Sequence, residues 1–192
     1  MNLLAHLRDR TRPHHEAVER EFGLFDRSWS ANKYRALLRR FFGYYDPLER
    51  QIEAALNWSA LGFDWQRRRK APLLQRDLCW AGDSPEVVAR LPGCHALPDV
   101  SGLPKALGCL YVLEGATLGG QVVTRYLTGV PSLENVTWFS FFSSYGAEVG
   151  SMWREFGEFL TVQALGEDKA IIRSACETFT TLADWLRCEE LV

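Results

Sequence analysis

Apolar residues recur every three or four positions along most of the chain, which is the spacing of one helical face and not the alternation of a strand. The clearest stripe is Tyr34, Leu37, Leu38, Phe41, Phe42, Tyr45, Leu48, Ile52 and Leu56. It predicts one long helix with a broad core-facing side. Pro47 inside it predicts a kink, because proline has no donor and its ring crowds the turn before it. A first helix is expected to run to about Phe22, and a third to cover roughly Asp64 to Trp80, opening on the basic run Arg67-Arg68-Arg69-Lys70. Ser84-Pro85-Glu86 has the order of an N-cap followed by proline in the first turn, so a short helix starts there. Residues 92–101, rich in proline and glycine, read as a loop. Ser101 can cap a long helix from about Leu103 to Leu127, and two more are expected near 136–165 and 167–190, parted by Gly166. Without an internal repeat, a linker or a convincing strand, the fold class is all-α, a single-domain multi-helical bundle.

Composition narrows this picture. The chain has 192 residues, of which 47% are hydrophobic and 12% aromatic. That suits one domain over 1–192 with a real core, and excludes a disordered chain. The net charge of −2 advertises neither nucleic acid nor a membrane surface. Five cysteines are scattered with no metal-ligand spacing, which suits reduced thiols in a cytoplasm. The N-terminus is charged almost at once and lacks a signal peptide's apolar run. With no stretch of about 20 apolar residues, no membrane span is expected.

Two groups of residues carry possible chemistry. In the first helix Thr11, His15 and Glu19 are each four residues apart, so they share a face. An imidazole that binds iron through one nitrogen is oriented when the other donates to an acceptor. Glu19 is placed to be that acceptor for His15, whereas His14 has only Val18 at the same offset. In the long helix after Leu103, Gly108, Gly115 and Gly119 fall on one stripe. An interior glycine costs roughly 0.8–1.0 kcal/mol relative to alanine, so three call for a reason. One reason is a bare backbone lying against a flat ligand; the other is tight helix–helix packing. The sequence leaves both open. Together, an oriented imidazole and a bare helix can hold a planar macrocycle between them.

At this point the chain resembles a known family. Thr11-x-x-x-His15-x-x-x-Glu19 resembles the proximal-helix signature of heme oxygenases, and Gly115-Ala-Thr-Leu-Gly119-Gly120-Gln121 resembles their distal helix. Arg69-Lys70-Ala-Pro-Leu-Leu-Gln-Arg-Asp77-Leu78 is similar to a further family segment, and Tyr-Val-Leu-Glu-Gly-x-x-Leu-Gly-Gly looks nearest to bacterial members, including those associated with bacteriophytochromes. The resemblance implies oxidative cleavage of heme, which is both substrate and cofactor, to biliverdin, carbon monoxide and iron. It implies use of O2 and electrons from a ferredoxin, a flavodoxin or an NAD(P)H-dependent reductase. His15 becomes the iron ligand and Glu19 its orienting group, with Thr11 on the same face. Gly115, Gly119 and Gly120 become the distal wall, with Ala116 and Thr117 beside the cofactor. Arg8 and Tyr111 match residues that meet the heme propionates, where charge-assisted bonds would fix the ring's orientation. A bacteriophytochrome is the implied recipient of biliverdin.

The chain also departs from the family. Where animal-type members carry an aspartate that anchors a water network, it has Ala116. Thr117, backbone carbonyls or a residue from elsewhere must then hold that water. A heme carrier or sensor without efficient turnover is the alternative, and a bundle relative acting on another small molecule, such as a thiamine-pyrimidine hydrolase, is a third. Pro13 raises a second question: if Thr11 is the N-cap, Pro13 is harmless but Arg8 falls outside the helix. His6 and His95 are expected to face solvent. The aromatic run Trp138 to Tyr145 is expected in the core. The basic run 67–70 is expected on a solvated face, or as a docking patch for an acidic electron donor.

Overall fold

The longest helix, α6 (Leu103–Thr128), has nine consecutive buried residues from Ala106 to Glu114. Only a helix with neighbours on every side buries a run of that kind. The computed structural model describes residues 2–25 and 29–187, and among them the elements are α1 (Leu3–Phe22), α2 (Ala31–Ala55), α3 (Trp65–Arg68), α4 (Ala71–Trp80), α5 (Pro85–Val88), α6, α7 (Val149–Gln163) and α8 (Asp168–Arg187), with short 3-10 turns at Pro131–Leu133 and Gly146–Glu148. The all-α bundle expected from the sequence is what forms. The heaviest packing sets α8 between α6 and α1, while α2 packs on α4. Helix α6 is long and apolar enough to cross a membrane by length and composition alone, but 67% of its most apolar window is buried inside the fold.

Local chemistry explains the element boundaries. Asn2, not Thr11, caps α1, its side chain accepting the Ala5 N–H at 2.9 Å. Pro13 therefore lies inside the helix and Arg8 lies on it. Pro13 leaves the Asp9 carbonyl without its helical donor, and both residues are exposed, so solvent can satisfy that group. α1 stops at Gly23, whose φ of 60° is left-handed and whose N–H bonds the Glu19 carbonyl at 3.1 Å, a helix end that favours glycine. α2 runs on through Pro47. The Gly43 carbonyl, which a residue other than proline at position 47 would bond, instead accepts the Cys94 N–H at 2.8 Å. Gly43 has to be glycine: a Cβ there would meet the Pro92 carbonyl oxygen at 2.4 Å.

Three expected boundaries shift. The helix expected over Asp64–Trp80 is two, α3 and α4, broken at Arg69 and Lys70. In one continuous helix the Pro72 ring would strike the Arg68 carbonyl; the break frees that carbonyl to accept Lys70 Nζ at 2.5 Å. Glu49 of α2 then caps the new end, accepting the N–H groups of Lys70 at 2.5 Å and Ala71 at 3.2 Å. Ser101 does not cap α6. Gly102 does, with a φ of 83°, and the Ser101 hydroxyl accepts from Lys105 Nζ at 3.1 Å. Ser84 does cap α5, as its order with Pro85 suggested.

The third shift matters most. Helix α7 begins only at Val149, so the expected helix over 136–165 is loop and turns over 136–148. The reason is Asp77 of α4. Its carboxylate accepts the Ser140 N–H at 2.9 Å and the Phe141 N–H at 2.8 Å, which are then unavailable for a helix. Trp138, Phe139, Phe141 and Phe142 are buried in this segment, and Trp138 stacks on Tyr34 with centroids 5.1 Å apart. The expected end of α8 at residue 190, and Cys188, lie outside the described residues.

Candidate active site

A cavity of about 710 Å³ opens between α1, α6, α8 and the aromatic turns, with Trp153 of α7 completing one side. Its size fits a single sizeable ligand, and its walls are mainly apolar, as ligand cavities usually are. Among the residues singled out from sequence, Arg8, Thr11, His15, Glu19, Tyr111, Gly115, Ala116, Thr117 and Gly119 line it. Gly120 does not.

The first wall is α1. The His15 side chain is about half exposed and lines the cavity. Its ring stands edge-on to Phe179 of α8, centroids 5.5 Å apart at 86°, which limits its tilt. Nδ1 lies 3.6 Å from Glu19 Oε1, an ion-pair separation just beyond a hydrogen bond. His14 faces elsewhere: its Nδ1 is 3.1 Å from the Thr180 hydroxyl, joining α1 to α8. Of the two imidazoles, His15 is the one that lines the cavity. Thr11, one turn before it, is buried and donates to the Leu7 carbonyl at 2.8 Å. Its hydroxyl also meets that of Tyr111, while the Arg8 guanidinium lies near enough to act on the phenol; burial raises the Tyr111 pKa and these two neighbours pull it back. Thus Arg8, Thr11 and Tyr111 form one polar edge on an otherwise apolar cavity.

The second wall is α6, and here the glycines divide. A Cβ at Gly119 would meet nothing within 4 Å, and one at Gly115 would reach only the Trp153 ring, at 3.8 Å. Those two present bare backbone to the cavity. Gly108 is a packing glycine: a Cβ there would strike the Ile171 carbonyl oxygen at 2.5 Å and Ser174 Cβ at 2.6 Å. Gly120, expected in the distal wall, is another, because its Cβ would lie 2.2 Å from the Phe142 carbonyl oxygen. The glycine stripe therefore divides: Gly108 lets two helices pack, whereas Gly115 and Gly119 leave bare backbone on the cavity. Ala116 is exposed on the cavity side, and the buried Thr117 hydroxyl donates to the Glu114 carbonyl at 2.7 Å.

Behind this wall lies a buried polar network that the sequence reading missed. Glu114 is 1% exposed. It accepts from Arg68 Nη1 at 2.6 Å, from Tyr145 Oη at 2.8 Å and from Lys70 Nζ at 3.1 Å. Lys70 Nζ also contacts Tyr145 Oη at 2.7 Å. Burial pushes the Lys70 ammonium toward a lower pKa, and Glu114 pulls it back up. Tyr145 adopts a φ of 65°, which a non-glycine residue holds only when its surroundings demand it. This arrangement overturns the reading of 67–70 as a solvated or docking face: Arg68 and Lys70 are buried, Arg69 pairs with Glu49 at 3.5 Å, and Arg67 alone is exposed. The available signal was Glu114 itself, a lone carboxylate in an apolar stretch of α6 that must find buried cations. Of the two histidines expected to face solvent, His95 is exposed and His6 half-buried.

Comparison with known proteins matches this architecture to one family. The chain matches the heme oxygenase family over residues 1–188. A heme oxygenase of Xanthomonas campestris pv. campestris (strain 8004) is 35% identical over 99 residues, which are 50% of this chain and 54% of that protein; the match thus spans about half the length of that relative. The structure of a heme oxygenase from Leptospira interrogans superposes with a TM-score of 0.75 at 15% identity, covering 97% of this chain and 98% of the other, and so shares its fold. On the strength of the match along nearly its whole length, the chain belongs to the heme oxygenase family.

Proposed function

We propose that the protein binds heme in the cavity between α1 and α6 and cleaves it oxidatively to biliverdin, carbon monoxide and iron. The observation that carries this is the pairing of one ligand-competent imidazole, His15, with a wall of α6 where a Cβ at Gly119 would meet only open space. The cavity suits the group: it has room for it, apolar walls for the ring, and the polar edge of Arg8, Thr11 and Tyr111 for the carboxylates. A lone imidazole holds iron firmly only when other ligands come with the metal, as they do in a macrocycle.

When bound, heme supplies the iron at which oxygen is activated and the ring that is oxidised. The protein's residues do the rest. His15 holds the iron, with Glu19 and Phe179 restricting the imidazole's orientation. Arg8 and Tyr111 bind propionates and so choose which edge of the ring faces inward. Gly115 and Gly119 leave space for O2 beside α6, and the aromatic turns keep bulk water away. Electrons come from a ferredoxin, a flavodoxin or an NAD(P)H-dependent reductase. The buried ion pairs of Arg68 and Lys70 remove the docking patch first considered for that donor. A bacteriophytochrome remains the proposed recipient of the product.

The test is addition of hemin and a reductant to the protein, followed by absorbance. Loss of the Soret band with a rising green chromophore is expected. A stable heme spectrum would leave only a carrier, and no binding would end the proposal. His15→Ala should lose the proximal-ligand spectrum and turnover, and His14→Ala should keep both. The reverse pattern would overturn the choice of ligand.

A further inference from the structure

We infer that Trp153 of α7 is the stop that fixes the in-plane rotation of the bound ring, and so decides which of its meso edges is cleaved. This rests on the proposed placement of heme. Among the described residues, Trp153 is the one through which α7 lines the cavity. A Cβ at Gly115 would meet the far end of its indole, Cζ3 at 3.8 Å and Cη2 at 3.9 Å, and no other side chain within 4 Å. The same indole lies 5.9 Å from the Tyr111 ring, centroid to centroid, at 54°. It also lies 5.7 Å from the ring of Phe156, which is fully buried. Tyr111 and Gly115 are four residues apart, so they are neighbours on one face of α6, and the indole spans them both. One turn further on, a Cβ at Gly119 would meet nothing within 4 Å. The wall of α6 is thus flanked by an aromatic ring at Gly115 and open at Gly119, and Trp153 marks the edge at which the open stretch ends.

An edge stop matters because a single bond from His15 to iron leaves the ring free to turn about that bond. Contacts at the rim must oppose the turn, and the rotation they allow sets which meso carbon meets the reaction. Two kinds of rim contact are present. Arg8 and Tyr111 attract the propionates by charge-assisted bonds, but an arginine has a long, flexible stem and can follow a carboxylate as it moves. Trp153 is rigid by comparison, having only two side-chain torsions, and it is seated between Tyr111 and buried Phe156. A turn that carried the propionates past Tyr111 toward α7 would drive the rim of the ring into the indole. The polar edge therefore draws the propionates in, and Trp153 limits how far they swing. This makes Trp153 a specificity-determining residue: it chooses the product isomer without taking part in proton or electron transfer.

The experiment loads the full chain with hemin, adds cyanide, and reads the heme methyl resonances by proton NMR, which reports ring orientation without turnover. The same samples are then turned over and their biliverdin isomers separated. The parent should show one dominant set of resonances and one dominant isomer. Trp153→Ala should raise the ratio of minor to major orientation about tenfold, equivalent to roughly 1.4 kcal/mol, with a second isomer to match. Trp153→Leu and Trp153→Phe should fall between, in order of the volume removed. Trp153 is only half-buried, so these milder variants keep the test alive if alanine unfolds the chain. An unchanged pattern in every folded variant would overturn the stop, and so would a redistribution that ignores side-chain size. A parent that already holds several orientations would overturn it too, while leaving heme binding intact. Failure of the parent to bind hemin would instead end the functional proposal and the stop with it.

Discussion

Helix α6 contains two regions with the same residue and opposite reasons for it. In its first half Gly108 faces α8, and at its far side Gly120 faces the Phe142 backbone; a Cβ at either place would collide with a backbone oxygen. Between them, Gly115 and Gly119 face a cavity in which a Cβ would touch little or nothing. The former let two pieces of protein meet. The latter keep protein out of a space. A glycine stripe is thus not a single signal, and its meaning depends on what lies opposite.

The contrast can be broken most severely at the packing positions. Gly120→Ala and Gly108→Ala should each lower stability by about 1–3 kcal/mol through overpacking. The measurement is the urea midpoint at constant slope. A parent-like midpoint in either variant would mean the helix contacts yield freely, and the contrast would collapse. Gly119→Val should act the other way round. Its fold stability should stay within about 0.5 kcal/mol of the parent, since valine is no worse than glycine in a helix. It should still bind hemin, yet biliverdin yield should fall sharply because the side chain enters the space left for O2. A lowered melting point with normal activity per bound heme would put Gly119 among the packing glycines.

The mildest probe changes reactivity alone. Gly119→Cys should react readily with a maleimide in the absence of hemin and be protected by it. Native Cys109, on the α8-facing side between Ser174 and Thr178, should stay unlabelled: it is fully buried, and burial pushes its thiol pKa up, away from the reactive thiolate. Peptide mapping of the adducts separates the two. Labelling of Cys109 at a comparable rate would show that the α6–α8 seam opens as easily as the cavity.

Much of this was legible from local pattern. The stripes of α1, α2, α6 and α8 follow from helical spacing, and His15 stood out from His14 by its Glu19 neighbour. What escaped depends on partners distant in sequence. Arg68 and Lys70 read as solvated until Glu114, on another helix, takes both. Residues 136–148 have a helix-like run of aromatics, yet Asp77 of α4 claims two of their backbone donors. Gly120 could not be separated from Gly119 without knowing that the Phe142 backbone lies against one and not the other. Propensity and periodicity report on the nearest turns of chain; a carboxylate arriving from another helix outweighs both.

The join between α1 and α8 has a consequence for the order of biosynthesis. His14 meets Thr180, His15 meets Phe179 and Glu21 pairs with Arg187, so the wall that carries His15, the proposed iron ligand, is built from the first and last described helices. A chain leaving the ribosome folds from its N-terminal end, but α1 must wait through the synthesis of everything between before its partner emerges. A nascent chain arrested before α8 would carry His15 on a helix without its main packing partner. If heme binds at His15 as proposed, translation products that lack α8 should trap the pigment poorly.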